Sequence, residues 1–249
     1  MSGKSERVIA AFTELASRYE ATMDAELREL WGVDYASFVE GLVGAMPVDT
    51  TSVVLDVATG TARIPAALGG PSGSGRTVVG VDITPAMLAH GKDNVPHRAD
   101  RSGVGLVCGS AMTLPFAEAT FGAVTCGLGM HHLDVDAALR EMHRVLKAGA
   151  KLILITVGAP PSWRSWWAGP LVKTAIFLGF AMSNKTARAL AEVEALPNVH
   201  TPEEWLEILR GVGYSDPHTS VPFRGRRSWY PDSLMIIAEK GGNSGDNNE

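Results

Sequence analysis

Val53-Val54-Leu55-Asp56-Val57-Ala58-Thr59-Gly60-Thr61-Ala62-Arg63 reads as a buried strand that breaks into a tight loop of small residues ahead of a helix, which Pro65 helps to start. Branched apolar side chains without polar alternation suit a strand covered on both faces. Small residues in the turn let a ligand approach the backbone closely. A dinucleotide-binding turn would read Gly-x-Gly-x-x-Gly, whereas here Gly60 is the one glycine, flanked at alternate positions by Ala58 and Ala62. Tight strand-to-helix turns also occur as plain structure, so this loop alone leaves both readings open.

Working outward, short apolar runs recur at Ser52 to Val57, Thr77 to Val81, Gly105 to Cys108, Ala123 to Cys126 and Lys151 to Val157. Helix signals separate them. Thr84-Pro85 reads as an N-cap followed by proline at the first helical position, where a missing amide costs nothing. Asp134 opens a helix carrying Ala138, Met142, Val145 and Leu146 at helical spacing, with Lys147 and Gly149 expected to close it. Thr201-Pro202-Glu203-Glu204 is a capping box that leads into Trp205, Ile208 and Leu209. Strands alternating with helices predict an α/β chain with a mostly parallel sheet covered by helices on both faces.

Even composition, with 45% hydrophobic and 20% charged residues among 249, predicts a single domain over residues 1–240. Residues 1–46 hold two helical patterns ahead of the sheet, one including Phe12, Leu15 and Tyr19, the other Tyr35, Phe38, Val39 and Leu42. Residues 158–199 form a helical cap insertion, since an excursion this long in a domain usually has a job. The Gly-, Asn- and Ser-rich tail, 241–249, is expected to be disordered.

A net charge of -5 supplies no broad basic face, which argues against nucleic acid as a partner. No apolar stretch follows the charged N-terminal residues to serve as a secretory signal, so a cytoplasmic location is expected. The apolar stretch from Trp163 to Met182 is broken by Arg164, Gly169, Pro170 and Lys173 and fits a spanning helix poorly. Stable membrane insertion is therefore not expected, while peripheral contact and a homodimer stay open. Cys108 and Cys126, each in a strand-like run, are expected as buried thiols.

A second strand, Val78-Val79-Gly80-Val81-Asp82-Ile83-Thr84-Pro85, ends in an acid about 20 positions after the glycine loop, where a carboxylate can accept both ribose hydroxyls of an adenosine. The alternative is that Asp82 caps the following helix, but Thr84 sits at the better capping position. Further on stand Cys108-Gly109-Ser110-Ala111-Met112-Thr113-Leu114-Pro115-Phe116, then Phe121-Gly122-Ala123-Val124-Thr125-Cys126-Gly127, His131-His132-Leu133, and Leu139-Arg140-Glu141-Met142-His143-Arg144-Val145-Leu146-Lys147-Ala148-Gly149. In this order and spacing, over about residues 8 to 157, the chain resembles the class I S-adenosylmethionine-dependent methyltransferases, and most of all the branch with the ubiquinone and menaquinone C-methyltransferases.

The resemblance implies a Rossmann-like, seven-stranded, mostly parallel sheet. It also implies S-adenosylmethionine as cofactor, S-adenosylhomocysteine as product, and a small, largely apolar acceptor methylated on carbon or oxygen. Ala58 and Gly60 would line the methionine part, and Asp56 would help anchor its amino group through water. Asp82 would hold the ribose, Ile83 would lie against adenine with Met87 in the same set, and Ser110 and Ala111 would meet the adenine's polar edge. Gly127 and Leu128 would sit near the sulfonium, and Tyr19 matches the aromatic that closes over the cofactor. The chain departs from the family in having Ala58 and Ala62 for the usual glycines, Ser110 for an acid, and Gly149-Ala150 for Gly-Gly. The family's strand order would put Cys108 and Cys126 roughly 14 Å apart, beyond disulfide reach.

His131 and His132 follow the fourth strand at its carboxyl end, where one of them can serve as general base or the pair can shape the loop. Trp163, Trp166 and Trp167 are candidates to roof an apolar acceptor pocket, or else belong to the core of an extra helical layer. Glu141 and Arg144, one helical turn apart, read as a structural pair. Arg224, Arg226 and Arg227, in a loop between the last two strands, read as a solvated basic turn. No metal is expected. The rival functions are a fold member that binds the cofactor without methylating, such as a cyclase, and an NAD-dependent oxidoreductase.

Overall fold

Seven strands make one sheet: β1 (Val54–Val57), β2 (Val78–Asp82), β3 (Val104–Cys108), β4 (Phe121–Gly127), β5 (Leu146–Val157), β6 (Tyr214–Ser220) and β7 (Ser233–Lys240). The computed structural model describes residues 3–47, 52–69, 76–95, 103–160, 163, 171, 174, 186–227 and 230–242. The order is β3-β2-β1-β4-β5-β7-β6. The first five strands run parallel and β7 runs antiparallel to both β5 and β6. This is the expected doubly wound, class I arrangement, with a reversal of strand order at β1 and β4 that opens a crevice at their carboxyl ends.

Alternate side chains feed two cores. Leu55, Val57, Val124, Leu152 and Leu154 pack with α6 (Val135–Val145) and α8 (Pro202–Val212), where Trp205 and Leu209 are fully buried. Val54, Ala123, Ile153 and Ile155 pack on the other face with α2 (Tyr19–Trp31), α3 (Tyr35–Gly44) and α4 (Arg63–Gly69). A period of two carrying apolar residues on both faces explains the unbroken hydrophobic runs. α1 (Gly3–Leu15), α5 (Pro85–Asn94) and α7 (Thr186–Ala195) complete the described helices.

Several caps form as expected. The Asp134 side chain accepts from the Ala137 amide, and Thr201 and Glu204 make both halves of the capping box. Removing the Thr201 hydroxyl leaves the Glu204 amide without its acceptor, so Thr201→Ala is expected to cost about 1 kcal/mol. Urea unfolding would show it as a lower midpoint with unchanged slope, and an unchanged midpoint would contradict the assignment.

Four details differ from the sequence expectation. The pattern through Phe12, Leu15 and Tyr19 is broken by a 3-10 turn at Ala16–Arg18, which separates α1 from α2. Helix α6 stops at Val145 and β5 starts at once; Gly149, at φ 72, serves a register shift opposite Phe121 and Ala123 and does not cap the helix. Thr84 makes no side-chain cap. Cys108 is exposed, because β3 is the sheet's edge strand and is covered less than its neighbours.

Candidate functional site

The loop after β1 owes its shape to backbone that turns left-handed three times, at Ala58 (φ 54), Gly60 (φ 55) and Ala62 (φ 58). Only glycine adopts this region without strain, so both alanines hold it at a cost that the packed sheet below must offset. Leu128, just past β4, does the same at φ 58, held by its amide donating to the Ile155 carbonyl at 2.7 Å. Ala58 and Leu128, both in left-handed backbone, thus face one crevice.

Asp82, the last residue of β2, organises that crevice. Its Oδ2 accepts from the Gly60 amide at 2.9 Å and its Oδ1 from the Thr84 amide at 2.8 Å. Burial raises its pKa, and the Thr84 and Gly60 amides pull the other way. The Thr84 hydroxyl and the Ile83 amide also favour the charged carboxylate.

The crevice is a cavity of about 80 Å3. The wall includes Ala58 and Gly60 from the loop after β1, Asp82 and Ile83 at the end of β2, and Met87 of the helix Pro85–Asn94. Ala111, Gly127, Leu128 and His132 continue it, and Tyr19 with Ser5, Val8 and Phe12 of α1 covers it. The structure therefore brings together most of the residues singled out in the sequence. Desolvation raises the pKa of Tyr19 well above that of a free phenol, so it stays a neutral, mostly apolar cover.

Asp56 and Ser110 stand outside that wall. Asp56 is fully buried under the loop, where Thr59 Oγ1 donates to its Oδ2 and Thr125 Oγ1 to its Oδ1, both at 2.7 Å. Burial pushes its pKa up to about 7 against those two hydrogen bonds. The Ser110 hydroxyl turns back to accept from the Met112 amide at 3.2 Å, closing its own turn. Trp163 is half-buried away from the wall, and Trp166 and Trp167 lie outside the described residues.

His132 sits in the wall edge-on to Phe12, with ring centroids 5.1 Å apart, while His131 is buried behind it. Both approach Glu192 of α7: His131 Nε2 lies 3.8 Å from Oε2 and His132 Nε2 lies 3.8 Å from Oε1. Burial opposes the charge on Glu192, but His132, His131 and Arg188 outweigh it and hold the carboxyl below its ordinary range. The sequence reading missed Glu192; the signal was an acid four residues after Arg188 in an alanine-rich helix. A second cavity, of about 470 Å3, shares Ser5, Met112, His132 and Leu133 with the first.

Other charged groups are structural. Arg144 donates to the carbonyls of Phe116 (2.8 Å) and Leu114 (3.0 Å) while Glu141 accepts from the Leu114 amide (2.7 Å), which pins the segment after β3. Arg226 donates to the Arg28 carbonyl and Arg227 pairs with Glu29, fastening their loop to α2. Among the described residues no helix is long and apolar enough to cross a membrane.

A family model described as the ubiE/COQ5 methyltransferase family matches residues 1–163. The demethylmenaquinone methyltransferase of Alkalihalophilus pseudofirmus is 33% identical over 161 residues, which are 63% of this chain and 65% of the relative. The match thus spans just under two thirds of that protein. Among solved structures, phosphoethanolamine N-methyltransferase 2 of Haemonchus contortus, in complex with S-adenosyl-L-methionine, aligns with TM-score 0.63 at 16% identity over 92% of this chain and 60% of that one. The [4+2]-cyclase SpnF aligns with TM-score 0.62 at 16% identity over 93% of this chain and 97% of its own. At such identities the likeness is one of fold.

Proposed function

Since this chain belongs to the ubiE/COQ5 methyltransferase family, we propose that it transfers the methyl group of S-adenosylmethionine to carbon or oxygen of a small, largely apolar acceptor with a quinol-like ring. The observation that carries this reading is the Asp82 carboxylate at the end of β2, tied to the Gly60 amide and facing the crevice at the sheet's switch point.

The residues present fit an adenosine-bearing cofactor. A Cβ on Gly60 would lie 3.1 Å from Met87 Cε and 3.8 Å from the Tyr19 ring, so a side chain here would crowd the narrow space between the loop and its cover. Asp82 would take the ribose hydroxyls, and the wall at Ala58, Gly127 and Leu128 would take the methionine part. At about 80 Å3 the cavity is smaller than the ~300 Å3 at which ligand pockets begin, so α1 must lift for loading.

When bound, the cofactor supplies a methyl carbon already activated for displacement. The chain supplies alignment and dryness, which together can remove several kcal/mol of barrier. Phe12 and Tyr19 exclude water, and the backbone around Gly60 and Leu128 fixes the sulfur end. His132, in the same wall, packs edge-on against Phe12 and helps to close it.

The test is calorimetry with S-adenosylhomocysteine and NAD, then turnover with S-adenosylmethionine and a reduced prenyl naphthoquinol. The expected result is saturable binding of the first ligand, none of NAD, and a product heavier by one methylene with matching release of S-adenosylhomocysteine. Failure to bind S-adenosylhomocysteine would overturn the proposal. Product formation without its release would favour cyclisation on the bound cofactor.

A further inference from the structure

One cluster, with His131 buried and His132 and Glu192 half-buried, is left unused by methyl transfer. His131 and His132 occupy the single 3-10 turn Met130–His132 after β4, and Glu192 reaches them from α7. One ligand atom from each of the three lies within 4.8 Å of the other two. The separations of 3.8 Å from each Nε2 to a carboxylate oxygen exceed hydrogen-bond length. Gaps of this width suit an ion held between the side chains.

Arg188 orders the same carboxylate: with its side chain 9% exposed, it donates to both oxygens of Glu26 at 2.9 and 2.6 Å, and its Nε lies 3.3 Å from Glu192.

From this convergence of donor atoms we infer that His131, His132 and Glu192 bind a divalent first-row cation, with Zn2+ as the fitting case. Two imidazole nitrogens and one carboxylate oxygen are a zinc ligand set, and three protein ligands leave a fourth position open. Bonds of 2.0–2.1 Å imply tetrahedron edges of about 3.3 Å, so each side chain must close in by less than about 1 Å. Asn198 Nδ2 donates to the carbonyls of His131 (3.1 Å) and Leu133 (2.6 Å), fixing the turn, while Arg188 braces Glu192. His132 also lines the cavity of about 470 Å3, which gives an ion its way in. A cation on His132 Nε2 would occupy the lone pair that a general base uses, so the two roles exclude each other.

The experiment is titration of the chelator-stripped full-length chain with Co2+, followed visibly and by proton NMR. The expected result is uptake of one Co2+ per chain, d–d absorption typical of four-coordination, two paramagnetically shifted imidazole N–H signals, and displacement by Zn2+. Glu192→Gln and His131→Ala are each expected to weaken binding at least a hundredfold. Neither residue lines the adenosine crevice, so S-adenosylhomocysteine affinity, measured in parallel, reports separately on the methyltransferase reading. Absence of stoichiometric uptake, shifted signals from fewer than two histidines, or undiminished binding in both variants would overturn the site. The wild-type spectrum decides even if a variant misfolds.

Discussion

Asp82→Ala is expected to raise the dissociation constant of S-adenosylhomocysteine by one to two orders of magnitude. Two ribose hydroxyls would lose a charged acceptor, each bond worth on the order of 1.5 kcal/mol, and every 1.4 kcal/mol is tenfold in affinity. The loss reaches further than the ribose, because the same carboxylate anchors the Gly60 and Thr84 amides. Without it the left-handed loop loses the bond that ties it to β2. Asp82→Asn separates the two effects, since its remaining carbonyl oxygen can still accept one of those bonds. Calorimetry on both variants checks the assignment, and an affinity unchanged in Asp82→Ala would contradict it.

Asp56→Asn is expected to stabilise the chain, and to do so more as pH rises. The Asp56 carboxyl is pushed up to about 7 by burial, against about 3.9 for an unfolded chain. A raised folded pKa means that the native state keeps a proton which the unfolded state has released. Its contribution is therefore fully present below about pH 4 and is lost as pH climbs through about 7. The amide stays neutral throughout, and its oxygen and nitrogen can still meet the hydroxyls of Thr125 and Thr59. The stability gap between variant and wild type is expected to widen by roughly 2.5 kcal/mol between pH 5 and pH 8. Urea unfolding at both pH values measures it. A gap that stays constant would show that Asp56 ionises in the folded state as freely as in the unfolded one.

The sheet and its crevice were legible because their signals are local. A strand, a small-residue loop and an acid at the end of the next strand lie within Val53–Asp82, and the caps at Asp134 and Thr201 each involve neighbours three positions away. What escaped depends on packing between distant segments. Glu192 gains its significance only because α7 docks beside the turn after β4. Asp56 read as a ligand residue, yet the strand's pleat sends its side chain beneath the loop to Thr59 and Thr125. Cys108 read as buried, but the place of β3 at the rim follows from strand order, which the apolar run does not encode.

The antiparallel pairing of β7 along Lys151–Val157 has a practical consequence for any shortened version of this protein. A fragment ending where the family match ends, at residue 163, would keep every residue that lines the crevice but strip the outer flank of β5 and remove Trp205 and Leu209 from the core. Its bare Leu152–Ile155 edge would be a template for self-association. The last third of the chain is what covers that edge, however little of it lines the crevice.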